Sequence, residues 1–294
     1  PRPSPACSVC GSKASNRAGP VAIHRCESWS QVDAVALRAR SVAGQSCLSK
    51  PALAGDIAAL DWKGLALELG TYCGFSALHL AQAKRVVTLE ADLGHAIIAE
   101  TLLTFAGMAD KVQVIVGHSE DMLPWLLQRL GPSFVFMDQR GSRYLADLEI
   151  LKQSGQSAVV VADNVLKPGA PKFLWALTND DAFETEVVEL EEFAMDGVLD
   201  WMTVSVFRSR VPCRDRSPPV PESIRFLEHQ AEAMRSRTHF PEHGGSGVGF
   251  KQWAAFSAEM RESLCQALSL KLRRFEEKRW PWKEREGETG GPQA

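Results

Sequence analysis

Between residues 64 and 207 the chain alternates short apolar runs with amphipathic stretches, and this alternation constrains its fold more than any other feature. The runs are rich in Val, Leu and Ala and are bounded by polar or glycine-containing segments, which predicts buried strands. They are Leu65–Leu69, Val86–Leu89, Val112–Val116, Phe134–Met137 and Ala158–Ala162. Because strands that alternate with helices form a parallel sheet covered on both faces, we predict an α/β fold.

Two more strands are predicted after the fifth run, at residues 184–190 and 199–207. A short turn containing Asp196-Gly197 separates them, so they should pair antiparallel. Five parallel strands followed by an antiparallel hairpin resemble the Rossmann-like sheet of the class I S-adenosylmethionine methyltransferases. We therefore expect that sheet, with helices on both faces and a helical C-terminal extension.

The rest of the chain is predicted to divide around this domain. Residues 1–27 are rich in Pro, Ser, Gly, Ala and Arg without periodicity, which predicts disorder. The methyltransferase-like domain would span residues 28–210, and prolines then indicate a linker at 211–221. Residues 222–294 are expected to form a helical extension that takes no part in the chemistry.

Two apolar stripes at helical spacing mark the extension. The first runs from Ile224 to Met234, and the stronger second stripe runs from Phe250 to Phe275. The second would need a helix about 40 Å long at about 1.5 Å per residue. We expect it to lie against the α/β domain, with self-association or partner binding as the alternative. The glycine-rich segment 244–249 follows no strand, so we interpret it as a flexible joint rather than a phosphate loop.

Charge and hydropathy argue against some classes of partner. Lys and Arg number 33 against 36 Asp and Glu, a net charge of −3 that does not favour nucleic acid. No run of about 18 apolar residues occurs, so no transmembrane helix is predicted. Because the sequence begins at Pro1 rather than Met, we expect a missing upstream segment, which leaves room for a targeting or anchor sequence.

The seven scattered cysteines do not form the dense framework of a small secreted domain. Cys73 and Cys265 lie in apolar patterns and are expected to be buried free thiols, which favours a reducing, cytoplasmic location. Cys7 and Cys10 have the spacing of half a zinc site, but no matching second pair follows. We therefore interpret them as free thiols.

The first two predicted strands end in residues suited to a nucleotide-like ligand. After the first strand, Gly70 and Gly74 would let the backbone turn tightly and approach a ligand closely. Their spacing is not that of a dinucleotide-binding loop. Glu90 ends the second strand about 20 positions later, where a carboxylate can accept the hydroxyl protons of a ribose. NAD enzymes share this feature, and a solvated charge at the strand end is the alternative.

The fourth and fifth strands end in oxygen ligands. Asp138 follows the fourth strand, and Asp163-Asn164 follow the fifth. In the methyltransferase strand order these strands are neighbours about 4.8 Å apart, so both carboxylates should stand at one edge of the sheet. Two unpaired carboxylates so close repel one another, and a cation relieves the repulsion. Oxygen ligands with room for water or substrate suit Mg²⁺, which we predict here.

Four stretches of the chain resemble the catechol O-methyltransferase family, and the resemblance covers roughly residues 28–208. They are residues 67–77, 105–112, 137–145 and 162–171, of which the last, ADNVLKPGAP, is the most specific. The residues that the resemblance implies for the methionine half of S-adenosylmethionine are Glu68, Gly70, Tyr72 and Ser76. Those implied for the ribose and the adenine are Glu90, Ser119 and Gln139. The implied Mg²⁺ ligands are Asp138, Asp163 and Asn164.

Three positions depart from the family pattern. Gly141 stands where the family has a catalytic lysine, and Arg140 stands where it has a tryptophan. Ala194 aligns with a substrate-binding glutamate, although Glu191 and Glu192 are close by. The cofactor and metal ligands implied by the resemblance are thus present, while the residues that would handle the acceptor proton are changed.

A lysine in the most specific stretch offers one replacement. Lys167 lies three residues after Asn164, in a loop that the resemblance places at the wall of the acceptor pocket. We hypothesise that Lys167 acts as the catalytic base in place of the missing lysine. The alternatives are a solvated loop lysine and an electrostatic contribution from Arg140, since arginine does not deprotonate in proteins.

The resemblance implies a Mg²⁺-dependent O-methyltransferase that acts on a small catechol-like diol with S-adenosylmethionine as cofactor. An enzyme for another ortho-diphenol, such as a phenylpropanoid, is an alternative. A non-catalytic methyltransferase-like module that binds a partner through the C-terminal helices is another. A nicotinamide dehydrogenase would leave the carboxylates after the fourth and fifth strands unexplained.

Overall fold

A computed structural model of the chain gives the positions of most of the predicted domain and part of the extension. The residues it describes are 50–59, 64–192, 195, 197–209, 218–238 and 247–270. The predicted disordered segment 1–27, linker residues 211–217, Ala194 and residues 271–294 lie outside the described residues. Predictions about those parts therefore stay predictions.

Seven strands form one mixed sheet in the order β3-β2-β1-β4-β5-β7-β6. The strands are β1 (Ala66–Leu69), β2 (Val86–Glu90), β3 (Val112–Val116), β4 (Phe134–Met137), β5 (Ala158–Ala162), β6 (Phe183–Glu191) and β7 (Leu199–Phe207). The first five are mutually parallel, and β7 pairs antiparallel with both β5 and β6. The predicted parallel sheet with its antiparallel hairpin is confirmed.

Helices occupy both faces of this sheet. In the described residues they are α1 (Lys50–Ala59), α2 (Phe75–Ala83), α3 (Leu93–Phe105), α4 (Ser119–Leu130), α5 (Tyr144–Ser154), α6 (Pro171–Asn179), α7 (Glu222–Thr238) and α8 (Phe250–Leu268). Helices α1 to α3 contribute to one core cluster, and the remaining helices contribute to the other. Side chains of β4 alternate between the clusters: Val135 and Met137 enter one, and Phe134 and Phe136 the other.

The two C-terminal helices share the main core with the sheet. Ile224 and Ala231 of α7 and Met260 and Leu264 of α8 are buried in the same cluster as the β1 and β4 side chains. The expectation that the second apolar stripe lies against the domain is confirmed. The hydrophobic face of α8 is therefore buried against the rest of the same chain.

Helix α8 is shorter than the apolar stripe predicts. It ends at Leu268, because Ser269 adopts a left-handed backbone conformation and its N–H donates to the Cys265 carbonyl. At about 1.5 Å per residue the helix is about 28 Å long rather than 40 Å. The prediction of one helix continuing to Phe275 is therefore wrong.

Two sequence expectations about composition can be compared with the described residues. Cys73 and Cys265 are free, as expected, but each is partly exposed rather than buried. Among the helices described, none has both the length and the apolar character that crossing a membrane requires.

Candidate functional site

A cavity of about 700 Å³ opens at the carboxyl ends of the parallel strands. Ligands bind at this edge in open α/β sheets, and the volume is in the range of small-molecule sites. The predicted site residues on its wall are Gly70, Tyr72, Glu90, Ser119, Asp138 and Gln139. The cavity thus brings together six residues that follow four different strands.

The loop after β1 approaches the end of β4 too closely for any side chain. Gly70 has a φ of 92°, and a Cβ added there would lie 2.6 Å from the Asp138 carbonyl oxygen. The backbone of Gly70 also donates to the Leu89 carbonyl at 2.9 Å. Glycine is required here both by its backbone conformation and by the contact. The loop therefore packs directly against the end of β4, and Gly70 lines the cavity.

Glu90 holds this loop in place. One of its carboxylate oxygens accepts the backbone N–H groups of Thr71 at 3.1 Å and Tyr72 at 2.7 Å. The other oxygen accepts the backbone N–H of Asp92 at 2.9 Å. Charge-assisted bonds of this kind are among the stronger hydrogen bonds in proteins. Glu90 therefore shapes the glycine loop, a role that its spacing alone did not indicate, while still lining the cavity.

Two of the implied cofactor residues lie beneath the cavity rather than on its wall. Glu68 is fully buried, and its carboxylate accepts hydrogen bonds from the Thr88 and Ser76 hydroxyls. Burial raises the pKa of Glu68 to about 7, and the nearby Glu90 charge adds to the effect. The Thr88 hydroxyl also hydrogen-bonds the Thr71 hydroxyl, which links Glu68 to the loop after β1.

Gln139, on the cavity wall, has one side-chain atom available to bind a ligand. Its amide nitrogen donates to the fully buried Asp147 at 2.8 Å. Its amide oxygen is buried and has no hydrogen-bond partner among the described residues. Because a buried polar atom without a partner is costly, this oxygen is suited to accept a hydrogen bond from a ligand. Ser119 begins α4 on the same cavity wall.

The carboxylates after β4 and β5 differ in their partners. Asp138 is half-buried at the cavity wall, and no donor among the described residues hydrogen-bonds its side chain. Desolvation and the neighbouring Asp163 and Glu68 charges raise the pKa of Asp138 well above its usual range. Asp163, one strand away, is buried and paired with a lysine.

That lysine is Lys50, at the start of α1. Its ammonium nitrogen lies 3.0 Å from Asp163, 2.6 Å from Asp200 and 2.8 Å from Glu192. Burial alone would lower the pKa of Lys50, but these carboxylates raise it, so the side chain is charged. The expectation that Asp163 is unpaired is therefore wrong. The sequence could not show this, because Lys50 precedes the sheet and is distant along the chain.

Asp200, in β7, organises the loop after β5. It is fully buried, and it accepts the Asn164 side-chain amide at 2.9 Å and the backbone N–H of Lys167 at 2.9 Å. The Asn164 side-chain nitrogen is thus engaged as a donor, and its amide oxygen is the atom that could serve as a ligand. A lone aspartate in the apolar strand Leu199–Phe207 was a signal for such a role, and it was missed.

The donor set can be tested against the predicted Mg²⁺ ion. Among the described residues, no three His, Cys, Asp or Glu side chains are arranged to hold a metal. The predicted ligands are instead two carboxylates and an amide oxygen, which Mg²⁺ accepts when water or substrate completes its shell. No donor among the described residues bonds the Asp138 side chain, and desolvation and the Asp163 charge raise its pKa, so a bound cation would favour its ionised form. The chemistry of Asp138, Asp163 and Asn164 therefore fits a divalent cation.

Lys167 is enclosed rather than solvated. Its side chain is buried, with the ammonium nitrogen 3.0 Å from Glu192 and 5.2 Å from the ring centroid of Trp253 in α8. The interpretation as a solvated loop lysine is wrong. Lys167 is also not among the residues that line the cavity, so its proposed role as a base has no direct geometric support.

Comparisons with known proteins agree with this geometry. The O-methyltransferase family model matches residues 61–205. Catechol O-methyltransferase of the pig (Sus scrofa) is 39% identical over 128 residues, which is 40% of this chain and 69% of that protein. The mouse (Mus musculus) protein of the same name is 38% identical over 130 residues, or 41% of this chain. The chain spans about half the length of that mouse relative (49%).

A solved structure is similar to most of this chain. The cofactor-bound crystal structure of Rv0187 from MTB superposes with a TM-score of 0.50 at 25% sequence identity. The match covers 64% of this chain and 94% of that one. About a third of this chain is therefore left unmatched.

Proposed function

Because the chain belongs to the catechol O-methyltransferase-like family of class I O-methyltransferases, we propose that it transfers a methyl group from S-adenosylmethionine to a hydroxyl of a small catechol-like diol, with Mg²⁺ as the metal. One observation carries the proposal. At the carboxyl edge of one sheet, the cavity joins a glycine loop, a strand-end glutamate and an aspartate that no described residue hydrogen-bonds through its side chain. The first two suit a nucleoside cofactor, and the aspartate suits a cation beside it.

On the cofactor side, three features support S-adenosylmethionine. The backbone at Gly70 allows close approach to a ligand, and Glu90 has lone pairs left for ribose hydroxyls. The amide oxygen of Gln139, which has no partner in the described part of the chain, would accept a hydrogen bond from the adenine amino group. A cavity of about 700 Å³ has room for such a ligand.

On the acceptor side, Asp138, Asp163 and Asn164 would hold the cation. When bound, a divalent cation orients a diol and lowers the pKa of its hydroxyl groups. The chain's own residues would fix the acceptor next to the cofactor, so that two bound reactants meet at short range. Lys50 would keep Asp163 ionised and oriented, since it holds that carboxylate at 3.0 Å.

Methyl transfer to catechol tests this function. The full chain is incubated with labelled S-adenosylmethionine, catechol and Mg²⁺, and then with excess chelator in place of Mg²⁺. We expect methylated catechol only with the cation, and a loss of about 10³-fold or more in Asp138→Ala. Cofactor binding by calorimetry in the same variant is the control. Full turnover in excess chelator would refute the proposed metal requirement.

A second candidate is a non-catalytic module. The absence of a side chain at Gly141, where the resemblance expects a lysine, favours it. The same assay separates the two functions, because cofactor binding without transfer to catechol or any other ortho-diphenol would support the module. Transfer to another ortho-diphenol but not to catechol would support the proposed reaction and change only the identity of the acceptor.

A further inference from the structure

Arg235, in the last turn of α7, belongs to the cavity although it comes from the extension. It is buried, and it lines the cavity together with Asp138 and Gln139. The extension therefore contributes a side chain to the cavity wall, whereas the sequence predicted that it takes no part in the chemistry. Neither the strand-end pattern nor the apolar stripe of α7 indicated this arginine.

The guanidinium of Arg235 is only partly satisfied by its neighbours. One terminal nitrogen donates to Glu232 at 2.6 Å, and the other donates to the Gly169 carbonyl. The remaining nitrogen, Nε, is buried and has no partner among the described residues. Because a buried N–H of a charged group is costly to leave unpaired, a ligand oxygen is a favourable partner for it.

Arg235 occupies the space that a side chain at position 141 would need. A Cβ added to Gly141 would lie 3.0 Å from the Nη2 of Arg235 and 3.4 Å from the Gly169 carbonyl oxygen. Gly141 has no left-handed backbone conformation that would demand glycine. Its missing side chain is therefore explained by the guanidinium that lies over it.

Helix α7 holds the arginine firmly against the loops of the site. Glu232 accepts from both Arg235 and Arg140, at 2.6 and 2.7 Å, and so joins α7 to the loop after β4. Glu228 accepts the backbone N–H of Lys172 at 3.0 Å, and so joins α7 to the start of α6. These bonds place a positive charge between two segments that follow β4 and β5.

We infer that Arg235 is a site residue on the acceptor side, where its guanidinium fills the space above Gly141 and stabilises the ionised form of the acceptor oxygen that attacks the methyl group. The inference rests on the proposed function. The hydroxyl proton leaves to bulk water, the oxygen forms a bond to the methyl carbon, and the carbon–sulfur bond breaks to give a neutral thioether. Arginine stays protonated throughout, so its contribution is electrostatic.

The test measures methyl transfer to catechol at saturating S-adenosylmethionine and Mg²⁺. We expect Arg235→Met to lower kcat by about 10- to 100-fold while S-adenosylhomocysteine affinity and Tm stay close to those of the parent. Arg235→Lys should keep more activity than Arg235→Met. Arg237→Met, an exposed arginine on the same helix, is the matched control and should keep the parent rate.

A rescue experiment distinguishes an electrostatic role of Arg235 from a purely structural one. In the Arg235→Met background, Gly141→Lys should recover at least about fivefold in kcat, because it returns a cation to the vacated space. In the parent, Gly141→Lys should lower kcat, because that space is filled. A purely structural arginine predicts no rescue, and that result would overturn the inference.

The remaining outcomes are also decisive. If the parent transfers no methyl group, the proposed function fails; if the parent is active and Arg235→Met matches its rate, only the inference fails. Should Arg235→Met not fold, Gly141→Ala replaces it, because the added Cβ displaces the guanidinium without removing it. A threefold or larger fall in kcat with unchanged S-adenosylhomocysteine affinity then supports the inference, and an unchanged kcat overturns it.

Discussion

The two halves of the cavity are assembled in different ways. The glycine-loop half, from Gly70 to Glu90, is held by short-range bonds, such as the one from Thr71 to Glu90 across 19 positions. The carboxylate half, around Asp138 and Asp163, is held by Lys50 and Asp200, which are 150 positions apart. The hydrogen bonds of the first half need only β1 and β2, whereas those of the second half join the start of the described chain to its last strand.

The largest effect on stability is expected from a substitution that disrupts the carboxylate half. Lys50→Met leaves the buried carboxylates of Asp163, Glu192 and Asp200 without their shared cation. Removing one partner of a buried ion pair destabilises by about 3–5 kcal/mol, so we expect a lower free energy of unfolding by that amount. Denaturant unfolding measures it, with the exposed Lys111→Met as control.

The same variant sharpens the assignment of the cation site. With Lys50 absent, a divalent cation becomes the remaining source of positive charge for Asp163. We expect Mg²⁺ to raise the Tm of Lys50→Met more than that of the parent. An equal response of the two proteins to Mg²⁺ would count against a cation site at Asp163.

The second-largest effect is expected from a substitution that disrupts the glycine-loop half. Gly70→Ala places a Cβ against the Asp138 backbone at 2.6 Å and imposes a left-handed conformation on alanine. We expect a loss of about 2–3 kcal/mol in unfolding free energy and at least about 10-fold weaker S-adenosylhomocysteine binding.

Gly107→Ala is the matched control for that prediction. Gly107 also has a positive φ, of 73°, but nothing lies within 4 Å of an added Cβ. It should cost only the backbone strain of about 1 kcal/mol and leave ligand affinity unchanged. If both variants lose affinity equally, contact with the end of β4 is not what makes Gly70 necessary.

The smallest effect concerns the pH dependence of stability. Because the pKa of Glu68 is raised to about 7 by burial, the folded protein holds a proton that the unfolded chain releases near pH 4.5. Stability from this group is therefore greatest below pH 4.5 and falls as pH rises through 7, by about 2 kcal/mol between pH 5 and 8. Glu68→Gln should flatten that part of the profile. An unchanged slope in unfolding experiments at pH 5, 6.5 and 8 would contradict it.

What the sequence predicted well depends on contacts that are local or periodic. The seven strands were predictable because apolar runs such as Ala158–Ala162 recur at regular spacing, and each strand end then follows from topology. Gly70 and Glu90 could be found because the ligand-facing turn lies directly after a strand.

What the sequence could not show depends on long-range pairing. Nothing near Lys50 in the chain indicates that it will meet Asp163, and nothing in the stripe of α7 singles out Arg235. The end of α8 was also missed, because its apolar spacing continues past Ser269 while the backbone turns there. Side chains that pair across the fold leave no periodic signal of their own.

Lys50 and Arg235 reach the same edge of the sheet from opposite ends of the described chain. A ribosome that has released all seven strands still retains α7, so the growing chain has a complete sheet but an unfinished ligand site. The residues proposed for the cofactor and the cation all precede residue 200, so only the acceptor side of the proposed site is then incomplete. Until α7 and α8 emerge, the main core also lacks the side chains of these helices that complete it, so we expect the nascent domain to bind the acceptor only late in its synthesis.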